Sequence, residues 1–299
     1  MMRHAVAHLQ GSKIREVANA GLGRSDVLAF WFGESDEVTT QAVRDEAKAS
    51  LDRGETFYSH NLGLVQLRQA IASYTTALHG PVEMDRIVVT SSGVSGLMLA
   101  CQLLVDPGDE VVAVTPVWPN LTAQPEILGA QVVRLPLSVH NGVWSLDLDR
   151  LRQTVTSATK VLLVNAPNNP TGWTLPAAQQ RAILEHCRET GTWIVADEVY
   201  ERLYFGDAPA APSFLDAAHP QDRLIVIHSF SKSFLMTGWR LGWMVVPPEV
   251  VDPLGKLTEF NTSCAPVFIQ RAALLAVQQA CSSVPALRDH MLQCAQRLV

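Results

Sequence analysis

Cysteine is scarce and scattered in this 299-residue chain. Cys101, Cys187, Cys264, Cys281 and Cys294 include no C-x-x-C pair, which excludes a zinc knuckle or a dithiol redox motif. Reduced, buried thiols in a cytoplasmic protein are the reading that remains. Basic charge is also short. There are 23 Lys and Arg against 29 Asp and Glu, a net charge of −6. A nucleic-acid binder carries the opposite excess, gathered in a stripe. No apolar run reaches the length of a membrane span. The opening text "MMRHAVAHLQGSKIREV" lacks the apolar core of a secretory signal. Internal repeats and low-complexity tracts are missing too. What is present is 47% hydrophobic and 17% charged residues, enough for a large folded core.

From about residue 85 onward, short apolar runs alternate with helix-period segments. "DRIVVTSS", "DEVVAVTP", "AQVVRLPL", "KVLLVNAPNNP", "TWIVADEVY", "RLIVIHSFS" and "LGWMVVPP" read as strands. "GVSGLMLACQLLV", "LDLDRLRQTV" and "PAAQQRAILEHCRETG" read as helices between them. The pattern predicts an α/β fold, a mostly parallel sheet sandwiched by helices. The first 45 residues hold little strand text, and "SDEVTTQAVRDEAKASLDRG" predicts a capped helix there. After Pro266, "PVFIQRAALLAVQQACSS" and "VPALRDHMLQCAQRLV" predict two more helices.

Ligands bind such sheets at the carboxyl ends of the strands. Polar residues gather there: Ser91-Ser92-Gly93, Trp118, Asn168-Asn169, Asp197 and Ser229 to Lys232. Each has a plain structural explanation taken alone. A strand–Gly–helix junction such as Ser92-Gly93-Val94 can simply turn, or it can offer free N–H groups to a phosphate. "NAPNNPTG" is turn text. Asp197 after "WIVA" is either a cap or a desolvated anion in need of a cation. Tyr200 stands three residues on. Trp118 is either core or a stacking platform. Lys232, in "SFSKSFLMTGWRLGW" with Arg240 eight positions later, is a surface charge or a nucleophilic amine. Together they supply what a cofactor with an aldehyde, a ring nitrogen, a phenolic oxygen and a phosphate requires.

"FYSHNLGLVQLR", "NAPNNPTG", "ADEVY" and "SFSKSFLMTGWRLGW", in this order along the chain, resemble the class I aminotransferases of the fold-type I pyridoxal-phosphate superfamily. The resemblance runs from about residue 28 to the last. It implies that Lys232 holds pyridoxal 5'-phosphate covalently and then acts as base. Asp197 would pair with the ring nitrogen. Asn169 and Tyr200 would bind the phenolic oxygen. Ser229, Ser231, Arg240 and the backbone of Ser92, Gly93 and Val94 would take the phosphate. Trp118 would stack on the ring. Tyr58 would reach the site of a neighbouring subunit, which implies a homodimer. Gly33, with Asn169, would lie beside the substrate.

The implied activity is transfer of an amino group between an amino acid and a 2-oxo acid. A lyase or decarboxylase on the same scaffold shares these cofactor residues. A cofactor-binding sensor module is disfavoured by the short, acidic text ahead of the sheet. "NAGLGRSD" lacks the third glycine of a dinucleotide fingerprint and follows helical text. Thr258-Glu259-Phe260 stands where members acting on aspartate carry a partner-subunit arginine, which reads against a dicarboxylate preference.

Family members of this kind continue for roughly a hundred residues past the end of this sequence. The expected division is residues 1–45 as a segment of a small domain, 46–282 as the large cofactor domain, and 283–299 as the start of an interdomain helix. The rest of the small domain, with its carboxylate-binding arginine, would be missing. A chain so truncated is expected to bind the cofactor and transaminate poorly.

Overall fold

Every strand of the main sheet is apolar on both faces, and each face has its own core. The computed structural model describes residues 2–298. Ahead of the sheet lie α1 (His4–Ala7), α2 (Lys13–Gly21), α3 (Gln41–Asp52) and α4 (Val65–His79). Strands and helices then alternate: β1 (Ile87–Thr90), α5 (Gly93–Leu104), β2 (Glu110–Thr115), α6 (Asn120–Leu128) and β3 (Gln131–Pro136). A small hairpin of β4 (Ser138–His140) and β5 (Val143–Ser145) leads to α7 (Leu148–Thr154). There follow β6 (Thr159–Asn165), α8 (Ala177–Thr190), β7 (Trp193–Asp197), β8 (Leu224–Ser229) and β9 (Gly242–Val245). The chain then forms α9 (Val251–Asn261), α10 (Val267–Gln278) and α11 (Ala280–Leu298).

The sheet order is β1-β9-β8-β7-β6-β2-β3. Only β9 runs against its neighbours, pairing antiparallel with β1 and with β8. The predicted α/β class with a mostly parallel sheet is what forms. Successive side chains of a strand point to opposite faces. Ile194 and Ala196 of β7 therefore join Val226, Trp243 and Val164 in one core, under α4, α8 and α10. Val195 joins Ile227, Met244 and Leu163 in the other, under α5 and α9.

Two sequence expectations need correction at their edges. The helix in "SDEVTTQAVRDEAKASLDRG" starts at Gln41, and Thr40 at its N-cap makes no side-chain cap bond. The adjacent Thr39 hydroxyl donates to the carbonyl of Leu235 (2.5 Å), a tertiary contact just ahead of the helix. The last helix, read from the sequence as starting at Val284, starts at Ala280. Pro285 falls inside it, in the second turn, where the lost N–H donor breaks one bond without ending the helix.

Gly242 sits at the tightest backbone crossing, where β9 passes between Thr90 of β1 and Ser229 of β8. A Cβ there would lie 2.6 Å from the Gly93 nitrogen and 2.8 Å from both the His228 oxygen and the Ser92 carbonyl carbon. These are backbone atoms and cannot swing aside. Gly242→Ala should lower stability in urea titration by about 2–3 kcal/mol. Gly238→Ala, which meets nothing within 4 Å, should change it by about 0.5 kcal/mol or less.

Candidate active site

The carboxyl ends of β1, β2, β6, β7 and β8 open into one cavity of about 760 Å³. Strand parity decides which residues enter it. Asn165, Asp197 and Ser229 end β6, β7 and β8 on the α5 side, and all three line the cavity. Gly93 and Val94 line it from the start of α5, Trp118 from beyond β2, and Arg240 from just before β9.

Lys232 follows β8 by three residues. Its Nζ donates to the carbonyl of Gly33 at 2.6 Å and lies 5.3 Å from the centre of the Tyr200 ring. Burial pushes its pKa below the usual lysine value, the nearby Asp197 and Glu34 charges resist the shift, and Arg240 adds to it. A lowered pKa leaves more of the amine neutral and nucleophilic. Arg240 holds the left-handed conformation (φ 56°, ψ 63°) and donates from Nη1 to the Thr237 carbonyl at 2.6 Å. The Ser231 N–H donates to Ser229 Oγ at 3.1 Å, which folds this loop around the cavity end of β8.

Asp197 is 2% exposed. Among the described residues its carboxylate accepts one hydrogen bond, from the Val199 N–H at 3.3 Å, and forms no ion pair. Burial raises its pKa to about 7, against the smaller effects of that N–H and of the Lys232 charge. Its backbone is better tied. The Asn165 side chain donates to the Asp197 carbonyl at 3.0 Å and accepts from the Asn169 N–H at 2.7 Å. Asn169 in turn donates to the Tyr200 hydroxyl at 3.4 Å. Burial and the Asp197 charge raise the Tyr200 phenol to about 12.

Behind this face lies a second polar cluster that the sequence reading missed. Glu198 and His228, one residue out of phase with Asp197 and Ser229, point the other way. Glu198 accepts from the Ser213 hydroxyl (2.5 Å) and the Phe214 N–H (3.0 Å). His79, at the end of α4, bonds Glu201 at 2.8 Å and Asp216 at 3.0 Å. Burial opposes its protonation, but the two carboxylates together raise its pKa to about 10.

Of the sequence candidates, Gly33, Gly93, Val94, Trp118, Asn169, Asp197, Tyr200, Ser229, Ser231, Lys232 and Arg240 line the cavity. Ser92 does not. Its hydroxyl caps α5 by accepting from the Ser95 N–H at 3.0 Å. Tyr58 also lies away from the cavity and is 87% exposed, beside Phe57 at 84%. Arg15, Trp31, Phe32 and Glu34 join the lining although their region carries no motif of its own. Asn165 could have been flagged as a polar residue ending an apolar strand.

The family profile "Aminotransferase class I and II" matches residues 26–299. The chain belongs to the class I and II aminotransferases. It is 32% identical over 271 residues to the aspartate aminotransferase of Pyrococcus horikoshii, covering 90% of this chain and 68% of that one. It is also 32% identical over 284 residues to a probable aspartate/prephenate aminotransferase of Aquifex aeolicus, covering 91% and 70%. Among solved structures, the aspartate aminotransferase of Thermotoga maritima superimposes with a TM-score of 0.90 at 29% identity, over 99% of this chain and 80% of that one. N-Succinyldiaminopimelate aminotransferase of Mycobacterium tuberculosis gives 0.91 at 27% identity, over 100% and 78%. The fold of this aminotransferase is thus fold type I.

The electrostatics of Asp197 make a stability prediction. Its folded pKa of about 7 lies above the ordinary aspartate value of 3.8. The folded state therefore keeps a proton that the unfolded chain releases. Stability from this group is full below about pH 4 and is lost as pH rises through about 7. Glu198, raised by burial to about 8, acts in the same direction. Asp197→Asn removes one share of this loss. In melts of the cofactor-free chain, the variant should gain on the wild type as pH rises from 5 to 8, reaching about 1–3 kcal/mol. A difference independent of pH would mean that Asp197 stays ionised throughout.

Proposed function

We propose that the cavity holds pyridoxal 5'-phosphate and that this aminotransferase uses it to move an amino group between an amino acid and a 2-oxo acid. The observation that carries the reading is Asp197, a buried carboxylate with one backbone hydrogen bond and no cation in contact. A protonated ring nitrogen would be the missing partner and would return the carboxylate to its charged form. The rest of the lining fits the same group. The N–H groups of Gly93 and Val94 precede the first intrahelical bond of α5, from Gly96 to Ser92 at 3.0 Å, and among the described residues they have no hydrogen-bond acceptor, which leaves them for an anion. Ser229, Ser231 and Arg240 surround that helix start with hydroxyls and a guanidinium. Trp118 offers an apolar face, and Asn169 with Tyr200 offers donors for a phenolic oxygen.

When bound, the cofactor supplies an aldehyde that bonds amino groups and a ring that accepts electrons from the substrate α-carbon. Lys232 Nζ would make the covalent attachment, and its lowered pKa favours the neutral amine. Released from that bond, the same atom would take the α-proton and deliver it, as general base and then acid. The Gly33 carbonyl holds that amine in place, and Asp197 would stabilise charge developing on the ring. The names of the relatives, from aspartate and prephenate to N-succinyldiaminopimelate, span several substrates and do not select one.

Residues 46–282 are assigned to the cofactor-binding domain, because the whole seven-stranded sheet falls between Ile87 and Val245. A homodimer with Tyr58 at the neighbouring site is supported by the exposure of Phe57, Tyr58 and Phe260. A cytoplasmic setting is supported by five free cysteines. No helix among the described residues is long and apolar enough to cross a membrane.

Borohydride reduction of the loaded chain should fix a pyridoxyl group on Lys232, located by peptide mass mapping. Label on Lys13, Lys48, Lys160 or Lys256 instead would refute the assignment. Lys232→Ala should lower kcat by about 10⁴-fold or more while leaving a cofactor-binding site measurable by equilibrium dialysis.

A further inference from the structure

Three residues behind the cavity each adjoin one that lines it. Glu198 follows Asp197, Glu201 follows Tyr200, and His228 precedes Ser229. The amino-transfer reading gives this rear cluster no task. Its bonds form a closed circuit. The Ser213 hydroxyl donates to Glu198 at 2.5 Å, and the Ser213 N–H donates to Asp216 at 3.0 Å. Asp216 meets Nδ1 of His79 at 3.0 Å, and Glu201 meets Nε2 at 2.8 Å. The Glu201 N–H then returns to the Glu198 carbonyl at 3.0 Å. Every member of the circuit but one comes from residues 198–216. His79 comes from the end of α4 and closes it.

His79 can close the circuit only as a cation. A neutral imidazole has a single N–H, whereas both ring nitrogens here face carboxylates. Its place in the last turn of α4 favours the same charge. Glu198, just past β7, adds attraction. Of the other charges nearby, Arg202 is turned to the Tyr74 hydroxyl at 3.1 Å and the Pro209 carbonyl at 3.0 Å. Burial keeps His228 below the usual histidine range. The circuit bears on the cavity through Tyr200. The bond to the Tyr200 hydroxyl from Asn169 is long, 3.4 Å, and fixes an aromatic ring poorly. The backbone must place that ring. It lies in the turn between Glu198 and Glu201, and the Leu203 N–H donates to the Tyr200 carbonyl at 2.9 Å. The hydroxyl stands at the reacting end of the cavity. Lys232 Nζ is 5.3 Å from the centre of the Tyr200 ring. A Cβ on Gly33 would come 3.6 Å from Nζ and from the hydroxyl alike.

We infer that His79 is a positioning residue for the reaction: its imidazolium locks the turn that carries Tyr200, and so sets how strongly Tyr200 donates to the phenolic oxygen of the bound cofactor. The inference rests on the amino-transfer reading of the cavity. A donor at that oxygen stabilises its anion. A slack Tyr200 therefore leaves the bound cofactor protonated to higher pH. His79 itself keeps its charge up to about pH 10, so the circuit stays closed while the cofactor titrates.

The test uses His79→Gln, which keeps an amide donor but no charge, and Asp216→Asn, which opens the circuit at its half-buried member. On the pyridoxal-phosphate-loaded chain, the pH midpoint of the cofactor's absorption change should rise by about 0.5 unit or more in His79→Gln. Asp216→Asn should move it the same way by less. Tyr200→Phe should raise it too, and adding His79→Gln to Tyr200→Phe should raise it no further. On the cofactor-free chain, deuterium exchange at the Glu201 and Leu203 N–H groups should be about tenfold or more faster in His79→Gln. Ile183→Val, a core change in α8, should lower the melting temperature without moving the absorption midpoint. An unmoved midpoint beside faster exchange would reduce His79 to a stability residue and overturn the inference. So would additive shifts in the double variant, or a midpoint that moves with Ile183→Val. Should His79→Gln not fold, Asp216→Asn carries the same comparisons. Failure of the cofactor to bind, or label away from Lys232, would count against the amino-transfer reading. Exchange on the cofactor-free chain would still decide whether His79 locks the turn.

Discussion

The two-residue period of β-strands is the constraint on which this site depends. At the ends of β6, β7 and β8, parity sends Asn165, Asp197 and Ser229 into the cavity. It sends Glu198 and His228 to the opposite face. A slip of one residue in β7 would exchange Asp197 for Glu198 and destroy the site. The register is held where it matters most. Asn165 pairs with Asp197 across β6 and β7, and its amide also bonds the Asp197 carbonyl. On the other flank, Asp197 pairs with Ile227 of β8.

The rear cluster is what keeps a carboxylate buried and charged on the face opposite Asp197. Glu201 is 5% exposed, and burial alone would raise its pKa. His228 and His79 outweigh that, and its pKa ends below the usual value. His79 bridges Glu201 and Asp216, so the end of α4 is tied to the 3-10 turn that follows Tyr200 (Glu201–Leu203) and to the turn at Phe214–Asp216. The turn after β7 therefore cannot drift, and Tyr200 keeps its place beside Asn169. Asp197 receives no such compensation. The cluster spends its cationic partner on the rear face and leaves the front carboxylate to whatever occupies the cavity.

Much of this could be read from residues alone. The strands of the main sheet, their mostly parallel order and the gathering of Asp197, Asn169 and Lys232 follow from apolar runs that end in polar residues, whereas Tyr200 and Arg240 enter through the motif resemblance. The motif residues are close to strand ends, so a local pattern reports a tertiary position. Long-range contacts were not legible. Nothing local to His79 in "TTALHG" says that it meets Glu201, 122 residues away. Thr40 looks like a helix cap but makes no side-chain cap bond, and the tertiary bonds of its neighbour Thr39 to Leu235 and the Trp239 indole carry no local signal. The Ser92 hydroxyl caps α5 through the Ser95 N–H, a bond that leaves its backbone out of account.

The N-terminal segment was the least legible part, and it completes the cavity. Its contacts with the lysine loop form a short chain: Lys232 to Gly33, Thr237 to Glu34, and Trp239 Nε1 to Thr39 Oγ1 at 2.9 Å. These bonds join residues about two hundred positions apart, and none belongs to a sheet or a helix. The segment is therefore held by side-chain and loop contacts that can break singly, unlike the ladder beneath it. Gly33 is well suited to that border. A Cβ there would come within 3.6 Å of both Lys232 Nζ and the Tyr200 hydroxyl, ordinary contact distance but inside the cavity. The rigid sheet thus fixes Asn165, Asp197 and Ser229, while the more weakly held segment closes the cavity over Lys232.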